Sequence, residues 1–224
     1  MWDKPHLLRQ ISGALFGFSF ALLMYGVLYF VLHLPVFPLR VLQLQFGGHP
    51  GTALSSATAD NWEQLATRTE KVAADPDYQA LIARSSQLSG FPFSDAAEVR
   101  IIEDITAEVG GTRAPMETAQ VIEVISMRVL PGKRAKLIDL IRQIREARAG
   151  AGLPQSNVLQ TVVGAANLLS VARPYANLQA WAKDRSTPVP KAVTDIQQRV
   201  LADPQGPYSE AIATRVYSDI TNQL

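Results

Sequence analysis

The chain has 224 residues, enough for one large or two small domains with a real core. Its 21 Lys+Arg against 20 Asp+Glu leave a formal charge of +1, so no global field directs it to nucleic acid or to an acidic surface. The absence of cysteine excludes disulfides, thiolate metal sites and thiol nucleophiles, and fits any redox compartment.

The first feature in chain order is apolar. From Ile11 to Leu32 there is no charge and no proline. At 1.5 Å per residue about 22 residues span about 33 Å, close to the thickness of a hydrocarbon core. The run predicts a transmembrane helix over 11–34 behind a cytoplasmic tail of residues 1–10, with Pro35 and Pro38 ending it. Lys4 and Arg9 precede the run and Arg40 follows it, which by the positive-inside rule places the C-terminal part in the periplasm of a bacterial inner membrane. A rival reading makes Gly26 to Leu32 a strand and cancels the anchor.

Met1-Trp2-Asp3-Lys4, the span, and Leu34-Pro35-Val36-Phe37-Pro38-Leu39-Arg40 together resemble the opening of FtsQ-type cell-division proteins. In that family one helix leads to a periplasmic POTRA domain, so the resemblance implies the same topology and a division role. It covers residues 1–40, and no POTRA pattern follows Arg40.

Beyond Arg40 an internal repeat organises the chain. Val41-Leu42-Gln43 recurs as Val158-Leu159-Gln160, Asn61 as Asn177, and Asp104-Ile105 as Asp219-Ile220, with offsets drifting from 117 to 115. The first copy, residues 40–105, reads as strands over 40–46 and 52–58, helices over 60–71 and 75–88, and a strand over 98–105. Asp60 and Glu63 suit a capping box for its first helix. Residues 106–120, with Gly110, Gly111 and Pro115, are a linker.

The second copy, residues 121–224, reads as a complete βαββαβ unit. It has strands over 121–129, 157–163, 168–172 and 214–220, and helices over 133–148 and 177–184. Leu137, Ile141, Ile144 and Arg148 fall at helical spacing, and Gly150 and Gly152 end that helix. The segment 187–208 carries four prolines and is left as an insert. The fold class is thus α+β: one transmembrane helix followed by a duplicated ferredoxin-like unit whose first copy lacks its first strand and helix. The two copies are expected to pack sheet against sheet.

The shape Val-Leu-Gln, small turn, Leu-Leu-Ser-Val, Asn-x-x-x-Trp-Ala in residues 158–182 resembles the dimeric α+β barrel superfamily, which includes antibiotic-biosynthesis monooxygenase and NIPSNAP-like domains. The likeness extends over residues 40–224. It implies either non-catalytic binding or a monooxygenase, cofactor-free or haem-dependent.

Candidate site residues are few. His49, in a glycine-rich turn, is the histidine open to the soluble part, because His6 and His33 flank the apolar run. Asn61, Trp62, Asn177 and Trp181 stand on corresponding helices, and the barrel resemblance makes them pocket candidates. Read from the residues alone, each Asn is a helix cap and each Trp a core anchor. Arg100 and Arg215 align on the closing strands as candidates for an anion or a partner, or as outward strand positions. Lys133, Arg134, Lys136, Arg142, Arg145 and Arg148 make one helix strongly basic, suited to anionic lipid or a nucleotide, or to a solvated face.

No GxGxxG, P-loop, HExxH or paired-cysteine motif occurs, so no metal site is expected. No cofactor is expected either, with haem entering under the monooxygenase reading alone. The partners implied are membrane lipid through 11–34 and a protein or small ligand; a homo-oligomer stays open and nucleic acid is excluded. The leading function is a membrane-anchored, non-catalytic binding module; the alternatives are the monooxygenase and a divisome component.

Overall fold

The computed structural model describes residues 40–48, 52–56, 59–85, 100–165 and 167–221. They fall into two compact units. The smaller holds 40–43, 52–85 and 219–221 of these residues, and the larger 44–48 and 100–218.

In the smaller unit the first half of β1 (Arg40–Phe46) pairs antiparallel with β2 (Ala53–Ser56), Arg40 opposite Ser56 and Gln43 opposite Ala53. The Arg40 Nε donates to Asp219 at 2.9 Å, and Ile220 N–H donates to Val41 O at 3.0 Å. Its described residues also form the helices α1 (Trp62–Ala74) and α2 (Pro76–Ser85). The cap of α1 is Asn61, whose side chain accepts from Gln64 N–H at 2.8 Å, one residue later than the Asp60/Glu63 pair read from the sequence. Gln64 reaches back to accept from Asp60 N–H at 2.7 Å.

The larger unit begins with β3 (Ile101–Asp104) and a 3-10 turn, Thr106–Val109. It continues through β4 (Val121–Val129), α3 (Arg134–Gly150), β5 (Asn157–Val163), β6 (Leu168–Tyr175), α4 (Leu178–Ser186), α5 (Lys191–Ala202) and β7 (Ser209–Asp219). Pro131 and Gly132, the latter at φ 70°, turn β4 into α3. α3 stops because Gly152 is left-handed at φ 67°. Its N–H then donates to Ala149 O at 2.9 Å and that of Leu153 to Arg148 O at 3.0 Å, a Schellman closure. α5 occupies the proline-rich stretch read as an insert: Pro188 and Pro190 stand before its first turn, where proline costs nothing, and Val193 and Ile196 are its buried face.

Strands β7, β4, β6 and β5 lie side by side in that order, each pair antiparallel, with Val124 between Ala172 and Arg215. This is the strand arrangement of a split βαβ unit, its helices α3 and α4–α5. The end of β1 borders β7, and β3 borders β5.

That placement overturns the expected fold class in its finer part. The α+β character stands, but among the described residues segment 40–105 builds no second ferredoxin-like sheet: the end of β1 borders β7 and β3 borders β5. The end of β1 and all of β3 find backbone partners on the two free edges of the β7-β4-β6-β5 sheet, and so do not pair with each other. The transmembrane helix is corrected too. Among the described residues no helix is long and apolar enough to cross a membrane, and residues 11–34, with the FtsQ-like opening, lie outside the described ones. The single-pass inner-membrane location with a periplasmic C-terminal part rested on that helix, and it falls with it.

One face of the sheet carries the apolar cluster beneath α3. Ile125, Met127 and Val129 of β4 point the same way as Leu169 and Val171 of β6 and Val158 of β5, because these residues alternate along their strands and are paired across them. Leu137 and Ile141 of α3 close over them with Ile105, Val109 and Tyr208.

Candidate functional site

Follow that inward face toward the start of β4 and its chemistry changes. The next inward positions are Glu123 and Val121 on β4, and Arg173 and Tyr175 opposite them on β6. Glu123 is completely buried. One of its oxygens accepts from Arg173 at 2.9 Å; the other accepts from the Trp181 indole Nε1 at 3.3 Å and from the Arg185 guanidinium of α4. A second carboxylate, Asp184, is nearly as deep: its Oδ2 accepts from the Tyr175 hydroxyl at 2.8 Å and from Arg148, the last turn of α3, at 3.0 Å. Burial, reinforced by the bond to Asp184, raises the Tyr175 pKa well above that of a free phenol. Trp181 packs on Val121, Tyr175 and Val216 and stacks on Phe46, centroids 5.5 Å apart.

Two acids, three guanidiniums, a tyrosine and a tryptophan thus hold α4 against the sheet. The buried Nε atoms of Arg148 and Arg173 have no partner. Sequence reasoning reached Trp181 here and placed Arg148 on the apolar stripe of its helix, but missed Glu123, Arg173, Tyr175, Asp184 and Arg185. The signal was present: Glu123 and Arg173 occupy inward positions of alternating strands, and opposite charges at inward positions predict a buried pair.

The other candidates are dispersed. Asn177 caps α4, accepting from Ala180 N–H at 2.8 Å, as Asn61 caps α1. Trp62, in the smaller unit, is 60% exposed. Arg215 is half-buried opposite Val124, with its Nε close to Gly48, and Arg100 stands half-buried just before β3. His49 lies outside the described residues.

The basic helix α3 meets acids of its own chain, three times at the surface and once, at Arg148, in the interior. Arg134 pairs with Glu108, Lys136 with Asp203, Arg142 with Asp139 and Arg148 with Asp184. Buried Arg145 donates to the carbonyls of Thr106 and Thr112, and its burial lowers its pKa against the pull of Asp104. Between α3 and α5 lies an open groove of 480 Å³ with Leu140, Ile196 and Val200 in its floor and Lys136, Arg199 and Asp203 on its rim. The Tyr208 hydroxyl, with Gln205 N–H and Lys136, lowers the Asp203 pKa to about 2. Among the described residues no group of acids and histidines could hold a metal ion.

No family model and no curated protein matches the chain. A solved structure described as an anthrone oxidase-like protein is similar over 83% of this chain and 81% of that one, at 13% identity and a TM-score of 0.41. A likeness of that size carries no argument about activity.

Proposed function

We propose that the chain is a non-catalytic module that binds a partner protein or a small ligand. The observation behind this reading is the state of Glu123: it is the most deeply buried acid of the cluster, and both of its oxygens are engaged by arginines and an indole N–H. A general base needs a carboxylate that can take up a proton beside substrate, and a proton relay needs a hydroxyl that can give one up. Tyr175 is held to Asp184 and kept protonated far into alkali. A network of this kind positions elements rather than turning over substrate.

The competing reading is the monooxygenase, which the barrel resemblance supports. Oxygen uptake by the full chain with hydroquinone-type and anthrone-type phenols, and a haem titration followed in the Soret band, separate the two. The binding module consumes oxygen no faster than buffer, with or without haem. Saturable oxygen consumption overturns it, and stoichiometric haem binding beside that consumption identifies the haem-dependent form.

A further inference from the structure

The hold of Asp184 on Arg148 is incomplete in a specific way. Both carboxylate oxygens, Oδ1 at 3.1 Å and Oδ2 at 3.0 Å, accept from the same terminal nitrogen, Nη2, of Arg148. A guanidinium binds a carboxylate best through two parallel N–H groups, and the second of these, Nε, is buried here without a partner. An aspartate carried on α4 reaches the arginine from one side, whereas a carboxylate on a free molecule is under no such constraint. Such a molecule could take Nε and Nη2 together and still accept from the Tyr175 hydroxyl, as Asp184 does at 2.8 Å. Arg173, across the same inward face, has a second unpaired and buried Nε.

α4 is also built to yield. It has nine residues, none of them fully buried, and it is fastened by Asp184, Arg185 and Trp181 to Arg148, Glu123 and the sheet. Proline-bearing chain follows it at Thr187–Pro190. Trp181 holds the middle of α4 on Val121, Tyr175 and Val216, but its C-terminal end is held by the polar contacts of Asp184 and Arg185, which exchange for others of the same kind more readily than packed apolar surface gives up its burial.

We infer that Arg148 and the Tyr175 hydroxyl form a site for the carboxylate of a small organic acid, and that Asp184 is the internal stand-in that occupies it when the ligand is absent. The inference rests on the binding-module reading and gives its ligand a chemical class. Binding replaces Asp184 on Arg148 and frees the C-terminal end of α4, so occupancy is transmitted to the stacked Phe46–Trp181 pair.

Acetate titrated into the full wild-type chain at constant ionic strength, with chloride and phosphate as the other arms, tests this. Readouts are the Arg148 Nε–H and the Trp181 indole N–H by NMR. Acetate is expected to shift both along one saturating curve, phosphate to shift them less, and chloride not at all; in Arg148→Gln the indole response disappears. In Asp184→Asn the acetate midpoint falls by at least about fivefold, the coupling of a removed competitor. A response to acetate that matches chloride, or a midpoint that Asp184→Asn leaves unchanged, overturns the inference. If Asp184→Asn does not fold, the wild-type and Arg148→Gln arms decide. Failure here with no oxygen uptake removes the carboxylate site and leaves the module; oxygen uptake with saturable acetate binding removes the module reading and leaves the site.

Discussion

The two halves of one sheet face solve the same problem with opposite chemistry. Over the later residues of β4, Ile125, Met127 and Val129 meet Leu169, Val171, Leu137 and Ile141, an apolar cluster beneath α3. Over the earlier ones, Glu123, Arg173, Tyr175, Asp184, Arg148 and Arg185 make an ionic cluster beneath α4. The apolar half gains by removing surface from water and tolerates small changes of shape. The ionic half gains little net stability over an apolar equivalent, because both ions must be desolvated, but it loses heavily if one partner goes. A fold that could have been apolar throughout keeps charges where α4 must be positioned, which is the pattern expected where position matters more than stability.

The largest expected effect tests that asymmetry. Glu123→Ala leaves Arg173 buried against no charge, and the larger unit should lose about 3–5 kcal/mol in urea unfolding. Arg185, 45% exposed, turns to solvent and recovers part of the cost. Leu137→Ala in the apolar half should cost about 3 kcal/mol from lost transfer energy and a partly collapsed cavity. The comparison sharpens when the ion pair is replaced whole: Glu123→Leu with Arg173→Met should be far milder than Glu123→Ala alone. If the double replacement is as damaging as the single one, the cluster is not a desolvated ion network in the sense argued.

A smaller effect concerns Tyr175. Its folded pKa lies above the unfolded value near 10, so the proton it keeps contributes stability fully present below about pH 10 and lost as the pH rises toward the folded value. Tyr175→Phe should cost about 1–2 kcal/mol at neutral pH for the bond to Asp184 and flatten the decline in stability above pH 10. Tyr208, also raised by its bond to Asp203, keeps a residual slope in that variant. An unchanged alkaline slope would mean that Tyr175 titrates like a free phenol.

The same contrast explains what the sequence disclosed. The apolar half was legible: alternation gave β4 and β5 their extents, and the spacing of Leu137 and Ile141 gave α3 its buried side, which continues through Arg145 rather than the expected Ile144. The ionic half was not, because periodicity scores a charge as solvent-facing and Glu123 breaks that rule by being paired. The repeat misled for a related reason. Asn61 and Asn177 do the same job at the starts of α1 and α4, so local signals agreed between the two segments. Strand pairing is decided by which edges are free, and matching three-residue anchors carry no information about that.

The tryptophans give the finest test of how alike those two segments are. Trp62 and Trp181 stand on the helices capped by Asn61 and Asn177, one and four residues after the cap, and equivalence of the two segments would give them like roles. Trp181 is packed on Val121, Tyr175 and Val216, stacked on Phe46 and bonded to Glu123, so Trp181→Ala should cost about 3 kcal/mol and weaken the hold on α4. Trp62 follows the α1 cap and leaves 60% of its surface to water, on a helix with no buried residue. Trp62→Ala should therefore change stability by no more than about 0.5 kcal/mol, the usual range for a surface position. The measurement is paired urea unfolding of the two variants, and the difference between them is the quantity of interest. Near-equal losses would mean that Trp62 is covered in solution, and the two segments would then share a packing role as well as a cap. A loss confined to Trp181→Ala fixes the likeness at the level of local sequence, with the energetics belonging to the ionic half alone.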